Sequence, residues 1–334
     1  MAKDFLAIFF IKLHLLLRKT VTTENHNNLE QRVAGTYTML ILAALIFASN
    51  HVISRYLNDV LPPFGTAFWR FTIGGLIMLP IAGRSFYQNW SVIRKNLWFF
   101  VFISVLFVPL ANGIIYLSYQ WTTATNGGVV STVQPALTVA LSALLFRDLI
   151  NRKQAAGLVC ATVGVLVIIS RGNIETLMRL EFNIGDLTLV FAMFAGALYN
   201  VLLRKVPTEI DVPLLLLIIQ FFGVITTSPI YLAETLLFRP VPFTSETVIA
   251  LVWMGVAVTA IAVGLHNAVI RKLGANKASM GNYIRAVFTA MIAILFLGES
   301  FEHYHATALV LVVAGVWLLS VGRSTGHETL FKKL

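Results

Sequence analysis

The sequence predicts an all-α polytopic membrane protein whose ten transmembrane helices form two inverted five-helix repeats. Three observations lead to this fold class. The 334 residues are 57% hydrophobic and only 12% charged, which is about half the charged fraction of a soluble protein. The apolar residues gather in stretches near the length of about 20 residues that a transmembrane helix needs. The second half of the chain then repeats the hydrophobic pattern of the first half.

The apolar stretches account for most of the chain. They cover residues 36–54, 64–83, 97–119, 127–146, 154–170, 184–204, 212–233, 247–270, 279–297 and 305–321. Residues 1–35 precede them, and we expect an amphipathic helix on the cytoplasmic leaflet followed by a polar tether at Thr22–Gln31. Residues 322–334 are expected to form a cytoplasmic tail. The single cysteine, Cys160, excludes a disulfide within the chain.

The repeat is visible as a constant register. Residues 104–170 align with residues 255–321 without a gap, at an offset of 151. The polar stripe Ser131, Gln134 and Thr138 then falls opposite Asn282, Arg285 and Thr289. We therefore expect two five-helix repeats, residues 36–170 and 184–321. Because five is an odd number, the second repeat would enter the membrane inverted relative to the first, as in many secondary transporters.

The basic residues predict the orientation. Most of the 25 lysines and arginines fall in connections that would share one side of the membrane. The connections on the other side hold Arg55, Arg171, Arg179 and Arg239. By the positive-inside rule the first side is cytoplasmic, so both termini are expected in the cytoplasm. The protein itself is expected in the inner (cell) membrane of a bacterium. Since the net charge of +10 sits in short loops between apolar stretches, we expect no nucleic-acid partner.

Four of the stretches contain short motifs. These are "ALIFASNHVISRYL" in the first stretch, "FWRFTIGGL" in the second, "VVSTVQPALTVALSALLF" in the fourth and "FLGES" at the end of the ninth. The segments that contain them resemble the EamA type of the drug/metabolite transporter superfamily. The resemblance implies ten helices in two inverted repeats, a central cavity lined mainly by helices 1–4 and 6–9, and alternating access. Members commonly have arginine at the position of Arg70. They usually have a proline in helix 9 where this chain has Arg285-Ala286.

Two arginines fall inside predicted transmembrane helices. At 1.5 Å per residue, Arg70 lies about 10 Å into helix 2, and Arg285 lies about 12 Å into helix 9 from the opposite face. An arginine near the bilayer centre costs about 2.5–3.5 kcal/mol and rarely lacks a partner. No Asp or Glu lies deep in a predicted span. An anionic group on a substrate is therefore the expected partner, with hydrogen bonds to helix-end carbonyls as the structural alternative.

The repeat pairs each arginine with a glutamine of the other half. Arg285 falls opposite Gln134, and Arg70 falls opposite Gln220 at an offset of 150. Polar side chains on neighbouring helices would extend these pairs into a belt around the centre of the bundle. The candidate substrate-binding residues are Arg285, Arg70, Gln134, Asn282, Asn112, Tyr116, Asn50, Tyr199, Gln220 and His266.

These features predict a secondary transporter for a small metabolite that carries a carboxylate, such as an amino acid or a related compound. Exchange of phosphorylated or nucleotide-linked metabolites is the alternative within this class, and a non-transporting membrane subunit is the alternative outside it. No phosphate loop, zinc-protease or hydrolase motif occurs, so we expect no enzyme, no cofactor and no metal site. The small residues Gly157, Ala161 and Gly164 predict a helix-packing face or a homodimer contact.

Overall fold

The computed structural model describes residues 28–147, 151–170, 172–173, 175, 183–274, 278 and 281–321. The predicted amphipathic helix at 2–19 and the C-terminal tail lie outside these residues. Within them, the regular secondary structure is helical and contains no strand. The first described helix covers Asn28–Tyr56, so the last four residues of the segment expected as a tether, Thr22–Gln31, are helical. No Gly or Pro interrupts that stretch, and the helix simply continues through it.

Each predicted transmembrane stretch overlaps a helix of the described chain. The helices are α1 (Asn28–Tyr56), α2 (Pro63–Gln88), α3 (Leu97–Ser118), α4 (Ala124–Phe146), α5 (Arg152–Ile169), α6 (Ile184–Leu202), α7 (Val212–Leu237), α8 (Ser245–Leu273), α9 (Gly281–Leu297) and α10 (His303–Val321). A short helix, Trp90–Lys95, precedes α3. Among the described residues, seven helices are long and apolar enough to cross a membrane, namely α1–α4 and α6–α8, whereas α5, α9 and α10 offer shorter apolar windows.

Local sequence signals fix where several helices begin and end. Pro63 occupies the first position of α2, where its missing N–H is not needed. The side chain of Asp211 accepts from the N–H of Leu214 at 2.9 Å and caps α7. At the other ends, α8 stops at Gly274 with φ 82° and α9 stops at Gly298 with φ 65°. Both glycines adopt the left-handed region that other residues disfavour.

Two helices change their winding near the middle of the bundle. Leu106–Gly113 in α3 and Met254–Ala262 in α8 are π-helical. These segments overlap when the two halves are aligned at the repeat offset. Pro109 lies within the first of them. Helix α4 contains a 3₁₀ turn, Ser131–Val133, which comes just before Pro135. Such irregular turns often mark functional sites in helices.

Helices of the first half of the chain pack against helices of the second half. Helix α1 packs against α9, and its repeat equivalent α6 packs against α4, the equivalent of α9. Helix α2 packs against α7, and α5 packs against α10. In the last pair, a Cβ added to Gly164 would approach Val312 Cγ2 to 2.6 Å, so this glycine faces α10 inside the same chain. The expected small-residue face is therefore used, at Gly164, for packing between α5 and α10.

The outer surface of the bundle is strongly apolar. Large exposed side chains include Leu76, Trp98, Leu144, Leu236 and Phe296. A soluble monomer rarely exposes contiguous apolar surface on this scale. A lipid environment is consistent with this surface, because hydrocarbon chains take the place of water around it.

Candidate functional site

Arg70 on α2 is the centre of a buried hydrogen-bond network. Its side chain is 1% exposed. Nε donates to Thr259 Oγ1 at 2.6 Å, and Nη1 donates to Asn112 Oδ1 at 3.0 Å and to Asn50 Oδ1 at 3.4 Å. Nη1 also donates to the Tyr116 hydroxyl, which itself donates to Asn50 Oδ1 at 3.1 Å. These bonds connect α1, α2, α3 and α8, and we call this network the Arg70 hub.

The two π-helical segments supply two of the four acceptors of the Arg70 hub. Asn112 belongs to the π segment of α3, and its Nδ2 donates to the Phe107 carbonyl at 2.6 Å. Thr259 belongs to the π segment of α8, and its Oγ1 donates to the Met254 carbonyl at 3.0 Å. Each side chain is thus held by the carbonyl five residues before it. These two hydrogen bonds orient Asn112 and Thr259, whose oxygens accept from Arg70, independently of the guanidinium.

The partners of Arg70 differ from those expected from the sequence. They are side-chain oxygens from three other helices, and neither helix-end carbonyls nor a carboxylate takes part. All of these oxygens are neutral, so the positive charge of the guanidinium is solvated by dipoles without being cancelled. Arg70 has at least two of its nitrogens committed to the protein, which makes it an organiser of the helix bundle.

Arg285 on α9 lies in a different environment. It is 9% exposed and lines a narrow cleft with a free volume of about 10 Å³. The described residues that line this cleft are Leu40, Ala43, Ala44, Phe47, His266, Gly281, Asn282 and Arg285. The Arg285 guanidinium carbon lies 5.8 Å from the centre of the Phe47 ring. We call this space the Arg285 cleft.

The donors of Arg285 are not used by the described part of the protein. Nε and Nη2 are buried and have no hydrogen-bond partner among the described residues. Buried polar groups are normally paired, and a buried charge without a partner is costly. An unpaired guanidinium beside an empty space is therefore a chemical reason to expect an anion there.

The neighbours of Arg285 form a polar corner of the cleft. Asn282, one helical turn before Arg285, donates from Nδ2 to Gln134 Oε1 on α4 at 2.8 Å. The two residues thereby join the two halves of the chain. His266 packs edge-on against Phe47, with ring centres 6.0 Å apart and an interplanar angle of 83°. The structure thus brings together four of the predicted residues at Arg285 and four at Arg70.

The remaining two predicted residues lie elsewhere in the bundle. Tyr199 is fully buried, stacks on Phe107 at 4.3 Å and accepts a 3.0 Å hydrogen bond from Asn267 Nδ2. Its surroundings are those of a core residue. Gln220 is 1% exposed and has no partner for either amide atom among the described residues. It faces the close approach of α2 and α7, where a Cβ on Gly74 would come within 3.2 Å of Gln220 Nε2.

The two ends of the bundle are defined by the helices that begin there. We call the end where α1 and α9 begin the proximal end, and the end where α2 and α4 begin the distal end. The Arg285 cleft lies on the proximal side. A second small space, with a free volume of about 10 Å³, lies on the distal side and is lined by Ser54, Leu57, Asn58, Leu61, Thr66, Tyr116 and Met254. Tyr116 lines this space and also belongs to the Arg70 hub.

The distal end is closed by side chains that were not predicted as site residues. His51 Nδ1 hydrogen-bonds the hydroxyl of Tyr119. The carbonyl of Tyr119 accepts from Arg55 Nη1 at 2.7 Å and from Asn58 Nδ2 at 3.0 Å. The Tyr119 ring fits because residue 127 is a glycine, whose added Cβ would collide with the ring. These contacts hold α1 against the α3–α4 connection.

Two glutamates cap helix N-termini at the distal end. Glu299 accepts from the N–H groups of Ala124 and Thr125 at 2.9 and 2.8 Å, and from Thr125 Oγ1 at 2.6 Å. Glu234 accepts from the N–H of Gly65 at 2.7 Å and from that of Phe64 at 3.2 Å. Each carboxylate meets the positive end of a helix dipole. Each also comes from the opposite half of the chain, so the halves are joined twice.

A buried carboxylate near α4 also escaped the sequence prediction. Asp186 is fully buried in the first turn of α6 and accepts from Thr122 Oγ1 and from Asn126 Nδ2. His305 Nδ1 accepts from the N–H of Glu302 at 2.9 Å, so its Nε2 carries the proton that it shares with Asn126 Oδ1 at 2.7 Å. Asp186 is the third residue of the predicted span 184–204 and was not singled out from the sequence. Its partners lie at least 60 positions away, which no local pattern reveals.

Comparison with known proteins supports a transporter. The profile of the EamA-like transporter family matches residues 35–170 and again residues 183–321. The chain is 26% identical over 288 residues to the uncharacterized transporter YyaM of Bacillus subtilis, covering 84% of this chain and 92% of that protein. It is 25% identical over 291 residues to an uncharacterized transporter of Archaeoglobus fulgidus, covering 85% and 96%.

Similarity extends to a plant protein and to a solved structure. A WAT1-related chloroplastic protein of Arabidopsis thaliana is 22% identical over 299 residues, which cover 85% of this chain and 69% of that one. A crystal structure superposes with a TM-score of 0.57 at 18% sequence identity, covering 86% of this chain and 97% of the other. At that identity the superposition shows a shared fold.

Proposed function

Because this chain belongs to the EamA-like transporter family, we propose that it is a secondary transporter that moves a small carboxylate-bearing metabolite by alternating access. Its family and its relatives are membrane transporters, so the chain is a multi-pass membrane transporter and not an enzyme. Beyond the family assignment, we propose the substrate class and the alternating-access mechanism. It also assigns the substrate to the Arg285 cleft.

One observation carries the proposal. Arg285 has two buried donor atoms, Nε and Nη2, without partners among the described residues, and the residue lines a cleft whose free space of about 10 Å³ must widen to admit a small molecule. A guanidinium binds a carboxylate through two parallel hydrogen bonds, and this pairing would satisfy both atoms at once. Arg70 has its acceptors already within the protein. We assign Arg285 to the substrate and Arg70 to the positioning of the helices around it.

The membrane arrangement follows from the same proposal. All ten helices would cross the bilayer as two inverted repeats with both termini in the cytoplasm. The exchanged packing of α1 with α9 and of α6 with α4 supports an internal two-fold relation. The proximal end would then face the cytoplasm, so the Arg285 cleft would lie on the cytoplasmic side while the distal contacts close the other side. Alternating access requires those distal contacts to open when the proximal side closes.

The test is substrate binding by the purified full-length protein. A panel of small metabolites is screened by thermal shift, and the affinity of each hit is measured by calorimetry. Arg285→Ala should weaken binding of the hit by about 2–5 kcal/mol, because a desolvated carboxylate loses its charged partner. Arg84→Ala, which removes an exposed arginine of α2, is the matched control and should bind normally.

Uptake into proteoliposomes then distinguishes transport from simple binding. Flux of the same compound should fall with Arg285→Ala and persist with Arg84→Ala. If Arg285→Ala melts like the wild type and binds and transports the compound equally well, the cleft is not the substrate site. If reconstituted protein binds the compound but never moves it, the chain is a non-transporting subunit.

A further inference from the structure

The Arg285 cleft has two chemically different walls. Helix α1 supplies an apolar wall made of Leu40, Ala43, Ala44 and Phe47. Helices α8 and α9 supply the polar wall, with Arg285, Asn282 and His266. An amphiphilic anion would fit this division, with its carboxylate at Arg285 and its carbon skeleton against α1. The free space in the cleft is about 10 Å³, room for about one water, so α1 must move away from α8 and α9 to admit a ligand, and a short skeleton needs the smallest movement.

The cleft offers no anionic group to a ligand. None of the described residues that line it is acidic, and its polar side chains other than Arg285 are an amide and an imidazole. Asn282 is also already engaged with Gln134. A ligand ammonium placed here would be removed from water without a carboxylate to neutralise it. Burial of a charge without a partner is strongly unfavourable.

The buried carboxylates that the structure describes are occupied at the distal end. Glu234 and Glu299 accept hydrogen bonds at the starts of α2 and α4. Asp186 accepts from Thr122 and Asn126. None of them lines the Arg285 cleft. A ligand in the cleft therefore meets the positive charge of Arg285 without a negative charge of the protein nearby to hold an ammonium group.

Arg70 strengthens the same preference. Its hydrogen-bond acceptors are all neutral oxygens, so its charge is not cancelled by its partners. Two buried guanidinium groups thus leave the interior of the bundle positive. A positive interior attracts a net anion and disfavours the ammonium group of a zwitterion, since like charges repel more strongly away from water.

We propose that the Arg285 cleft selects short amphiphilic carboxylates that carry no ammonium group, such as hydroxy acids and oxo acids, over the corresponding amino acids. This inference rests on the proposed function and narrows its substrate class. A phosphorylated ligand fits less well, because Arg285 is the only basic residue among the described residues of the cleft that carries a permanent charge. Such ligands profit from several converging cations.

The experiment compares ligands that differ in a single charged group. Purified full-length protein is titrated calorimetrically at pH 7.5 with 2-hydroxy-4-methylpentanoate, leucine and 3-methylbutylamine. The first two share one carbon skeleton and differ only by hydroxyl against ammonium, and the third lacks the carboxylate. An aromatic series, 3-phenyllactate, phenylalanine and 2-phenylethylamine, is measured in the same way. All carboxylates are ionised at this pH.

We expect a hydroxy acid of at least one series to bind at least tenfold more tightly than its amino acid, and neither amine to bind. Arg285→Gln, which keeps a polar side chain in place and guards against misfolding, should abolish the hydroxy-acid signal. Arg84→Ala should leave it intact. Melting temperatures of all variants confirm that folded proteins are compared.

The possible failures are distinguishable. If the amino acid binds as tightly as its hydroxy acid and binding still requires Arg285, the selectivity is overturned while the proposed function stands. If the hydroxy acid binds equally well to Arg285→Gln, the cleft is not the site and the proposed function fails as well. If no acid of either series binds, the inferred ligand class is wrong.

Discussion

At the scale of single residues, the two buried arginines have opposite relations to the protein around them. Arg70 has four neutral partners on three other helices, whereas two nitrogens of Arg285 have none among the described residues. The sequence placed both arginines inside helices and treated both as candidates for a substrate anion. Only the partners separate a residue that organises the bundle from a residue that is prepared for a ligand.

This difference predicts opposite effects on stability. Arg70→Met keeps most of the side-chain volume but leaves the oxygens of Thr259 and Asn112 without their donor, at a cost of about 1–3 kcal/mol for each buried group left unpaired. Arg285→Met removes a buried charge that the described protein does not pair, so its melting temperature should equal or exceed that of the wild type. Thermal unfolding of both variants in the same detergent measures this. A lower melting temperature for Arg285→Met than for Arg70→Met would contradict the assignment of roles.

At the scale of helices, the distal end depends on carboxylates that cap helix N-termini. Glu299 closes the start of α4 with three hydrogen bonds, and Glu234 closes the start of α2 with two. Each glutamate follows or ends a helix of the second half and caps a helix of the first. A conformational change that separates α9 from α4 or α7 from α2 at the distal side would break one of these caps.

Glu299→Gln should therefore loosen the distal closure. The change keeps the size of the side chain but removes the negative charge from the α4 N-terminus, which costs up to about 2 kcal/mol in a partly buried position. The readout is the rate at which a thiol reagent labels Ser54→Cys, a position that lines the distal space, in a Cys160→Ala background. We expect faster labelling with Glu299→Gln.

The exposed Glu302 provides the control for this measurement. Its carboxylate accepts from Ser300 Oγ at 2.8 Å and does not cap α4, so Glu302→Gln should label at the rate of the parent protein. Equal rates for all three proteins would mean that the Glu299 cap does not limit opening of the distal side.

At the scale of the whole molecule, the topology is open to a direct test. Cysteines introduced at the exposed positions Asp59 and Asn173 should react with an impermeant reagent added outside cells, and cysteines at Lys95 and Asn151 should react only after the membrane is opened. Asp59 is a better probe than its neighbour Asn58, because Asn58 is buried against Tyr119. The expectation comes from the basic residues that gather on one side. The reverse pattern would place the Arg285 cleft on the outer side and would remove the basis for cytoplasmic termini.

The amino-acid sequence determined the helices, their approximate ends and the family. Each predicted apolar stretch overlaps a helix, since a helix in a bilayer satisfies its own backbone hydrogen bonds and needs only local information. The EamA resemblance is confirmed by a family match over both repeats. Position alone was also enough to place Arg70 and Arg285 inside helices.

The tertiary structure decided which of these residues work together. Arg70 and Thr259 are 189 positions apart, and Ala124 and Glu299 are 175 positions apart. The π-helical turns that present Asn112 and Thr259 depend on neighbouring helices, and so does the burial that leaves Arg285 unpaired. Hydropathy and spacing indicate which residues of one helix face lipid. A hydrogen bond between helices depends instead on how the helices pack against one another. For that reason the sequence could name the polar residues of the bundle, while the structure alone divided them into the Arg70 hub, the Arg285 cleft and the distal closure.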